Sequence, residues 1–282
     1  MSTNVAVIAP GAMGSGVAAR LTEHGVTVRT LLAGRSAETV ARAHKAGMTD
    51  ATEDEIAGCD IILSIVPPGE ALGLAERLAP ALRRASRKPL YVDCNAVDPG
   101  TVLRIAGVVE AAGGRFVDGG IIGPPPVPDS RNTRLYLSGA EAGAVAALGE
   151  RGLSVVVQPG PVGAASAMKM SYAGITKGFT ALGAAMMLAA SRAGTVEPLL
   201  AEMKLSQPAL LDWLTRQVPR MYPKAYRWVA EMEEIAAFVG EDPAARDYYL
   251  AAARFYERIA ADDAGAGTET AAMDAFCGSA RS

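Results

Sequence analysis

Three stretches of this chain hold residue types that can do chemistry. The first is Gly163 to Arg192, GAASAMKMSYAGITKGFTALGAAMMLAASR, free of proline and rich in helix-tolerant residues. At about 1.5 Å per residue it makes one helix roughly 45 Å long. Into this apolar rod the sequence sets one early cation, Lys169. An ammonium in such surroundings is costly unless it is paired or functional. Burial moves a lysine toward neutrality, and a neutral amine can act as a general base. The bland alternative is a lysine that runs its stem along the core and reaches water.

The second stretch is Pro10-Gly11-Ala12-Met13-Gly14-Ser15-Gly16, between the apolar run Val5 to Ala9 and the helical Val17 to Leu21. A strand, a glycine-rich turn and a helix start together make an anion site, because unpaired N–H groups at the helix start face a phosphate. Gly11, Ala12, Met13 and Gly14 are therefore expected to hold a dinucleotide pyrophosphate. The spacing is AxGxxG, with Ala9 where the first glycine usually stands.

The third lies after the next strand, Val26 to Leu32. NAD-specific folds place an acid there for the ribose hydroxyls. This chain places Arg35 and Ser36 there, with Glu38 further on inside the following helix. A guanidinium and a hydroxyl suit a 2′-phosphate, so the expected cofactor is NADP (NADPH), with NAD second. The competing reading of Arg35 is a solvated surface arginine.

Those groups need a frame. Apolar runs recur at Asp60 to Val66, Pro89 to Asp93 and Arg115 to Asp118, with helical patterns at Gly69 to Ala85 and Thr101 to Ala112 between them. The alternation predicts an α/β fold, a doubly wound parallel sheet of Rossmann type. Arg134 to Gly139 and Ser154 to Val157 read as further strands, one of them a candidate antiparallel partner. Ligands of such sheets sit beyond the C-terminal strand ends. The crevice is then lined by Gly11 to Gly14, Arg35, Val66, Pro67, Pro68, Asn95 and the loop Gly119 to Pro126, which carries Ile122 and Gly123.

After Pro161 the pattern is helical: Gly163 to Arg192, Thr195 to Met203, Gln207 to Val218 opening on Pro208, Lys224 to Gly240, and Pro243 to Ala261. The tail from Asp262, with Gly265 and Gly267, reads as partly mobile. Two domains are expected, 1–161 for NADP and 162–282 for substrate and dimerisation. In the long helix Met168, Tyr172, Ile175, Phe179, Leu182 and Met186 recur at spacings of three and four and share one face. The other faces are small and apolar, so burial nearly all round is expected.

The bulk numbers are restrictive. The chain has 282 residues, half of them hydrophobic, with net charge −3. That balance argues against nonspecific nucleic-acid binding. Three scattered cysteines support neither a disulfide framework nor a zinc site, so no metal is expected and a reduced, cytoplasmic setting fits. The start, MSTNVAVIAPGAMG, lacks the form of a signal peptide. No stretch of about eighteen uncharged apolar residues is found, and no membrane contact is expected.

On Gly11-Ala12-Met13-Gly14, Asp118 to Pro124 and Gly163 to Ala173, in that order, the chain resembles the β-hydroxyacid dehydrogenase / 6-phosphogluconate dehydrogenase-like superfamily over nearly its whole length. These match the family's GxGxMG turn, DxPVSGG-like substrate loop and GxGxxxKxxNN-like catalytic helix. Asp60 to Pro67 is similar to the family strand that ends in a cofactor-contacting proline. Arg227 to Ala236, RWVAEMEEIA, resembles a branch carrying a C-terminal domain of unknown function. The resemblance implies that Lys169 is the catalytic lysine, that Ile122, Gly123 and Tyr172 line the substrate site, and that the C-terminal domains interlock in a homodimer.

The departures bear on the substrate. Ile122 stands where the family loop has serine, and Pro124 where its next glycine sits. Tyr172 and Ala173 stand where the catalytic helix carries two asparagines. Those polar groups help bind a small hydroxy-carboxylate in the family. Ile122, Tyr172, Pro125 and Trp228 would build a larger, less polar pocket. Tyr172 either bonds the reacting oxygen or is core. Arg227 either anchors a substrate anion or pairs with Glu231 four residues on. His24 and His44 read as ordinary turn and helix residues. The expected activity is an NADP-dependent interconversion of hydroxyl and carbonyl on a β-hydroxyacid-like substrate, with the nicotinamide near Asn95 and Pro67. The alternatives are a C=N (imine) reductase on the same scaffold, whose relatives usually replace the lysine, and a noncatalytic NADPH-binding protein.

Overall fold

Alternating apolar and small residues on short β-branched runs build the frame of the N-terminal half. The computed structural model describes residues 3–128 and 130–281. The elements are β1 (Asn4–Ile8), α1 (Ala12–Glu23), β2 (Thr27–Thr30), α2 (Ala37–Lys45), β3 (Met48–Asp50), α3 (Glu53–Ala57), β4 (Ile61–Ser64), α4 (Ala71–Arg84), β5 (Leu90–Asp93), α5 (Pro99–Ala111), β6 (Arg115–Ile122), β7 (Arg134–Ser138), α6 (Ala142–Val145), β8 (Val155–Val157) and α7 (Ala164–Ala193). Then come α8 (Val196–Ser206), α9 (Pro208–Met221), α10 (Ala225–Phe238), α11 (Pro243–Asp263) and α12 (Thr268–Arg281). Two compact units result, Met1–Met170 and Ser171–Ser282, and the division falls within α7, beyond Pro161.

In the first unit the strands form one eight-stranded sheet in the order β3-β2-β1-β4-β5-β6-β7-β8. It is parallel from β3 to β6; β7 runs antiparallel to β6, and β8 parallel to β7. The antiparallel partner foreseen for the later strands is thus the β6–β7 pair. Both faces are covered, and the two-residue period sorts the core. Val5 and Val7 pack on the α1 side, Ala6 and Ile8 on the α4–α5 side. Strands buried on both faces read as continuous apolar runs, which is why the sequence shows them clearly. β3 and α3 are short and escape a sequence reading. The capping box of Thr52 and Glu55 that starts α3 is local and was available.

The first turns of α7 are tied to the sheet by one side chain. Asp118 of β6 is fully buried, and its Oδ2 accepts from the backbone N–H of Gly163 (2.9 Å), Ala165 (2.9 Å) and Ser166 (3.1 Å). Ser138 donates its hydroxyl to the same oxygen (2.9 Å), and the Ser166 hydroxyl donates to Oδ1 (2.6 Å). These are the orphan donors of a helix start, met by a carboxylate at the favourable end of the helix dipole. The close approach also needs Gly120. A Cβ there would stand 3.0 Å from the Ala165 carbonyl oxygen and 3.3 Å from Lys169 Cβ.

The second unit is helical. Tyr248 of α11 donates to the Gly178 carbonyl at 2.9 Å, and Tyr256 to that of Lys177. Pro208 opens α9 as expected. Three expectations are corrected here. The tail from Asp262 is ordered: Asp262 accepts from the Thr270 N–H (2.8 Å) and hydroxyl (3.0 Å), and α12 buries Met273, Phe276 and Cys277. Glu231 pairs with Lys177 and not with Arg227, whose guanidinium lies over the Tyr226 ring.

The third correction concerns α7, which is not buried all round. Tyr172, Ile175, Phe179, Leu182 and Met186 are 42–71% exposed, and Met168 is half-buried. The buried face is that of the small residues Ala173, Ala181 and Ala184, with Met187 and Leu188. Gly174 and Gly183 leave room there for Tyr249 and Leu214. Small residues let neighbours approach, and the bulky row faces outward. By length and composition α7 is also long and apolar enough to cross a membrane, with half of the qualifying window buried inside the protein.

Asp118→Ala should lower unfolding free energy by about 2–4 kcal/mol, since several buried N–H donors lose their acceptor. Urea denaturation followed by circular dichroism measures it; a loss below about 0.5 kcal/mol would deny Asp118 this role.

Candidate active site at the C-terminal edge of the sheet

The strand order turns back between β1 and β4, the point where open α/β sheets form their ligand crevice. On the β1 side, α1 starts at Gly11, whose backbone is extended and which no side chain caps. Nothing approaches within 4 Å of a Cβ built on Gly11, so the space outside the turn is open. Gly14 is different: a Cβ there would lie 2.0 Å from the Ala9 carbonyl oxygen, so this position admits only glycine. Ala12 is exposed and Met13 half-buried against the core. An uncapped helix start behind an open turn fits a dinucleotide pyrophosphate.

Arg35 and Ser36 follow β2, both exposed. Ser36 caps α2, its Oγ accepting from the Thr39 N–H at 3.3 Å. Arg42, two turns into α2, was not singled out from the sequence. It pairs with Glu38 at 2.6 Å and donates to the Pro10 carbonyl at 3.4 Å, so it bridges α2 to the glycine-rich turn. Its spacing of four from Glu38 was the available signal.

On the other side of the crevice stand Val66, Pro67 and Asn95. Asn95 is buried and its amide is wholly engaged within the protein. Oδ1 accepts from the Val66 N–H at 2.7 Å, and Nδ2 donates to Ser64 Oγ at 2.8 Å and to Asp93 Oδ1. Asn95 therefore holds the chain entering Pro67, which is exposed. This bracing role of Asn95 was missed, as was the polarity of Ser64 and Asp93 at the ends of otherwise apolar strands.

Lys169 lies within two turns of the Asp118 anchor. Its Nζ donates to the Cys94 carbonyl at 3.5 Å, at the end of β5. Burial moves its pKa down from 10.5 to about 8, against the opposing pull of Cys94, Asp93 and Asp118. The Cys94 thiol itself is raised by burial and stays neutral near pH 7. Ile122 is half-buried at the end of β6 and Gly123 is exposed beyond it. The structure thus gathers the glycine-rich turn, Val66, Asn95, Ile122 and Lys169 at the C-terminal sheet edge of the first unit.

Tyr172 belongs to the second unit and is half exposed. Trp228 belongs there too, edge-on to Tyr256 at 5.2 Å and 5.0 Å from Lys177 Nζ. His24 and His44 are exposed, His24 closing α1 with its Nδ1 2.8 Å from the Arg20 carbonyl oxygen.

Comparison with known proteins identifies the family and the fold. Residues 4–149 match the NAD-binding domain of 6-phosphogluconate dehydrogenase, and residues 190–259 match a domain of unknown function, DUF1932. A conserved protein of unknown function, described as structurally similar to 3-hydroxyacid dehydrogenases, is 30% identical. It covers 94% of this chain and 98% of its own, with a TM-score of 0.72. In fold the chain is also similar to a 3-hydroxyisobutyrate dehydrogenase of Mycobacterium tuberculosis solved with L-serine (18% identity, all of both chains, TM-score 0.70). An imine reductase of Myxococcus stipitatus shares it too (21% identity, 98% and 99% coverage, TM-score 0.60). With a matching sheet, glycine-rich turn and C-terminal helical region, this chain belongs to the 6-phosphogluconate dehydrogenase-like family of NAD(P)-binding proteins, in the branch that carries the DUF1932 domain.

Proposed function

We propose that this chain is an NADP-preferring oxidoreductase that interconverts a hydroxyl and a carbonyl on a β-hydroxyacid-like substrate, with Lys169 as its general acid and base. One observation carries the reading: the Lys169 amine, which burial lowers to about 8, sits 3.5 Å from the Cys94 carbonyl at the sheet edge where the family binds its dinucleotide. A bound nicotinamide dinucleotide supplies the hydride acceptor or donor. Neutral Lys169 takes the hydroxyl proton in oxidation, and its ammonium form returns a proton to the carbonyl oxygen in reduction. A group titrating near 8 has both forms populated close to neutral pH, which general acid and base work requires. The uncapped start of α1 holds the pyrophosphate, and Arg35 meets the 2′-phosphate. Ile122, half-buried in place of the family's serine, makes the pocket less polar than the family norm.

The second reading, reduction of a C=N bond, draws on Ile122 and on the imine reductase fold likeness. Retention of Lys169 favours the hydroxyl–carbonyl reaction. Preferential NADPH-dependent turnover of cyclic imines over hydroxy acids would reverse that order.

A second copy of the chain is the occupant we assign to the exposed row of α7. Tyr172, Ile175, Phe179, Leu182 and Met186 are spaced 3-4-3-4, the seam of two helices packed side by side. The five residues carry no charge, and a self-complementary row suits a two-fold axis.

Three outcomes are expected. In the oxidation direction kcat/KM should climb with pH through a midpoint near 8, because the neutral amine is the base. Lys169→Met should lower the rate by roughly 10²-fold or more and abolish that limb; a retained limb sinks the assignment. Fluorescence titration should give tighter binding of NADPH than NADH, and Arg35→Ala should reduce the preference by roughly tenfold or more. Equal affinity of the unmodified protein for both would refute the NADP reading. Light scattering should find a dimer that Ile175→Glu with Phe179→Glu converts to monomer; a monomeric wild-type protein at micromolar concentration speaks against the seam.

A further inference from the structure

Four neighbouring strands set a polar side chain at the same level of the sheet. Ser64 of β4 is in register with Asp93 of β5, Asp93 with Asp118 of β6, and Asp118 with Ser138 of β7. In-register partners project to the same face. All four are 0% exposed. A buried transverse polar row is costly unless each member is satisfied. Ser138 and Asp118 are satisfied by the start of α7. Asp93 is not. Its Oδ1 accepts from Asn95 Nδ2, but Oδ2 is buried with no hydrogen-bond partner among the described residues. Two residues earlier on the same strand face, Tyr91 is fully buried and its hydroxyl lies toward Ser64.

Lys169 lies beside the two inner members of the row. Gly120, two residues after Asp118 on the same face of β6, is where Lys169 packs on the sheet: a Cβ built on Gly120 would stand 3.3 Å from Lys169 Cβ. The amine bonds the carbonyl of Cys94, the residue between Asp93 and Asn95. A carboxylate with one unclaimed oxygen and the lysine amine thus act on each other at the end of β5. Asn95 and Asp118 have structural occupations; Asp93 Oδ2 has none.

We infer that Asp93 is a positioning residue for Lys169: a second proton-holding group whose charge sets how tightly the Lys169 amine keeps its proton. This rests on the hydroxyl–carbonyl reading for its meaning, though not for its test. Burial and the nearby Asp118 push Asp93 up to about 7, while Asn95 and Lys169 pull it down. Lys169 follows at about 8. The titratable or charged groups facing Asp93 are Asp118 from β6, Lys169 from α7, and Tyr91 and Cys94 from its own strand. Burial keeps Tyr91 and Cys94 protonated near neutral pH. The sign follows. An ionised Asp93 stabilises the ammonium, so the lysine holds its proton to higher pH. A protonated Asp93 removes that attraction, and the amine becomes easier to deprotonate. Two groups coupled in this way titrate as a pair.

The test reads Lys169 itself, without cofactor or turnover. Trace acetylation of the full-length protein across a pH series, quantified by mass spectrometry at Lys169, gives the titration midpoint of the amine. Asp93→Asn keeps the shape and removes the charge. It should lower the Lys169 proton affinity by roughly tenfold, about one pH unit. An unchanged midpoint in the folded variant overturns the inference. Should the variant fail to fold, the wild-type protein with 13C-labelled aspartate decides: one carboxyl should titrate near neutral pH, and complete titration of every carboxyl below about pH 5 overturns it. A midpoint shift together with full turnover of Lys169→Met would keep the coupling and discard the catalytic reading.

Discussion

A single carboxylate joins the sheet to the long helix. Asp118 reaches from β6 into the N-terminus of α7 and receives three backbone N–H groups and two hydroxyls. A helix start carries partial positive charge and unpaired donors, so a buried anion is stable there when it is stable almost nowhere else in a core. The bond set fixes both the translation and the rotation of the first turns of α7. Lys169, one and a half turns further on, is aimed by that anchor at the Cys94 carbonyl. Move the anchor and the amine moves with it.

Around this contact the chain spends its smallest residues where backbones must meet. Gly120 lets α7 lie on β6, and Gly14 lets α1 lie on the end of β1. Both are steric demands of close approach, and both serve the same edge of the sheet. Asn95 works by a different means. It is an amide with three partners that fastens the chain at Val66 to the end of β4 and to Asp93. The result is an edge whose N–H groups, amide and amine are held by covalent neighbours and hydrogen bonds before any ligand arrives.

The second unit shows how a pattern can be read correctly and its burial wrongly. The spacing of Tyr172, Ile175, Phe179, Leu182 and Met186 does place them on one face. Periodicity reports that residues share a face; it does not report which face meets the protein. The small residues Gly174, Ala181, Gly183 and Ala184 admit α9 and α11 side chains closely, and that contact outcompetes the bulky row. The tail from Asp262 likewise looked loose because Gly265 and Gly267 stand near its start. The Asp262 carboxylate turns the same stretch into the cap of α12.

From the sequence alone came the parallel sheet, the glycine-rich turn, the helical second half and the candidate amine. Each depends on short-range pattern: apolar runs for strands buried on both faces, glycine spacing for a tight turn, and an early cation in an apolar helix. What the tertiary structure alone decided is which polar groups meet. Ser64, Asp93, Asp118 and Ser138 lie far apart in the chain and become one buried row only through strand order and register. Asp118 reads as the last residue of a strand until α7 comes to rest on it. Asn95 reads as a ligand contact until its three hydrogen bonds are seen to point inward. Long-range hydrogen bonds obey geometry that no local spacing encodes, and so the frame was legible while the wiring of its edge was not.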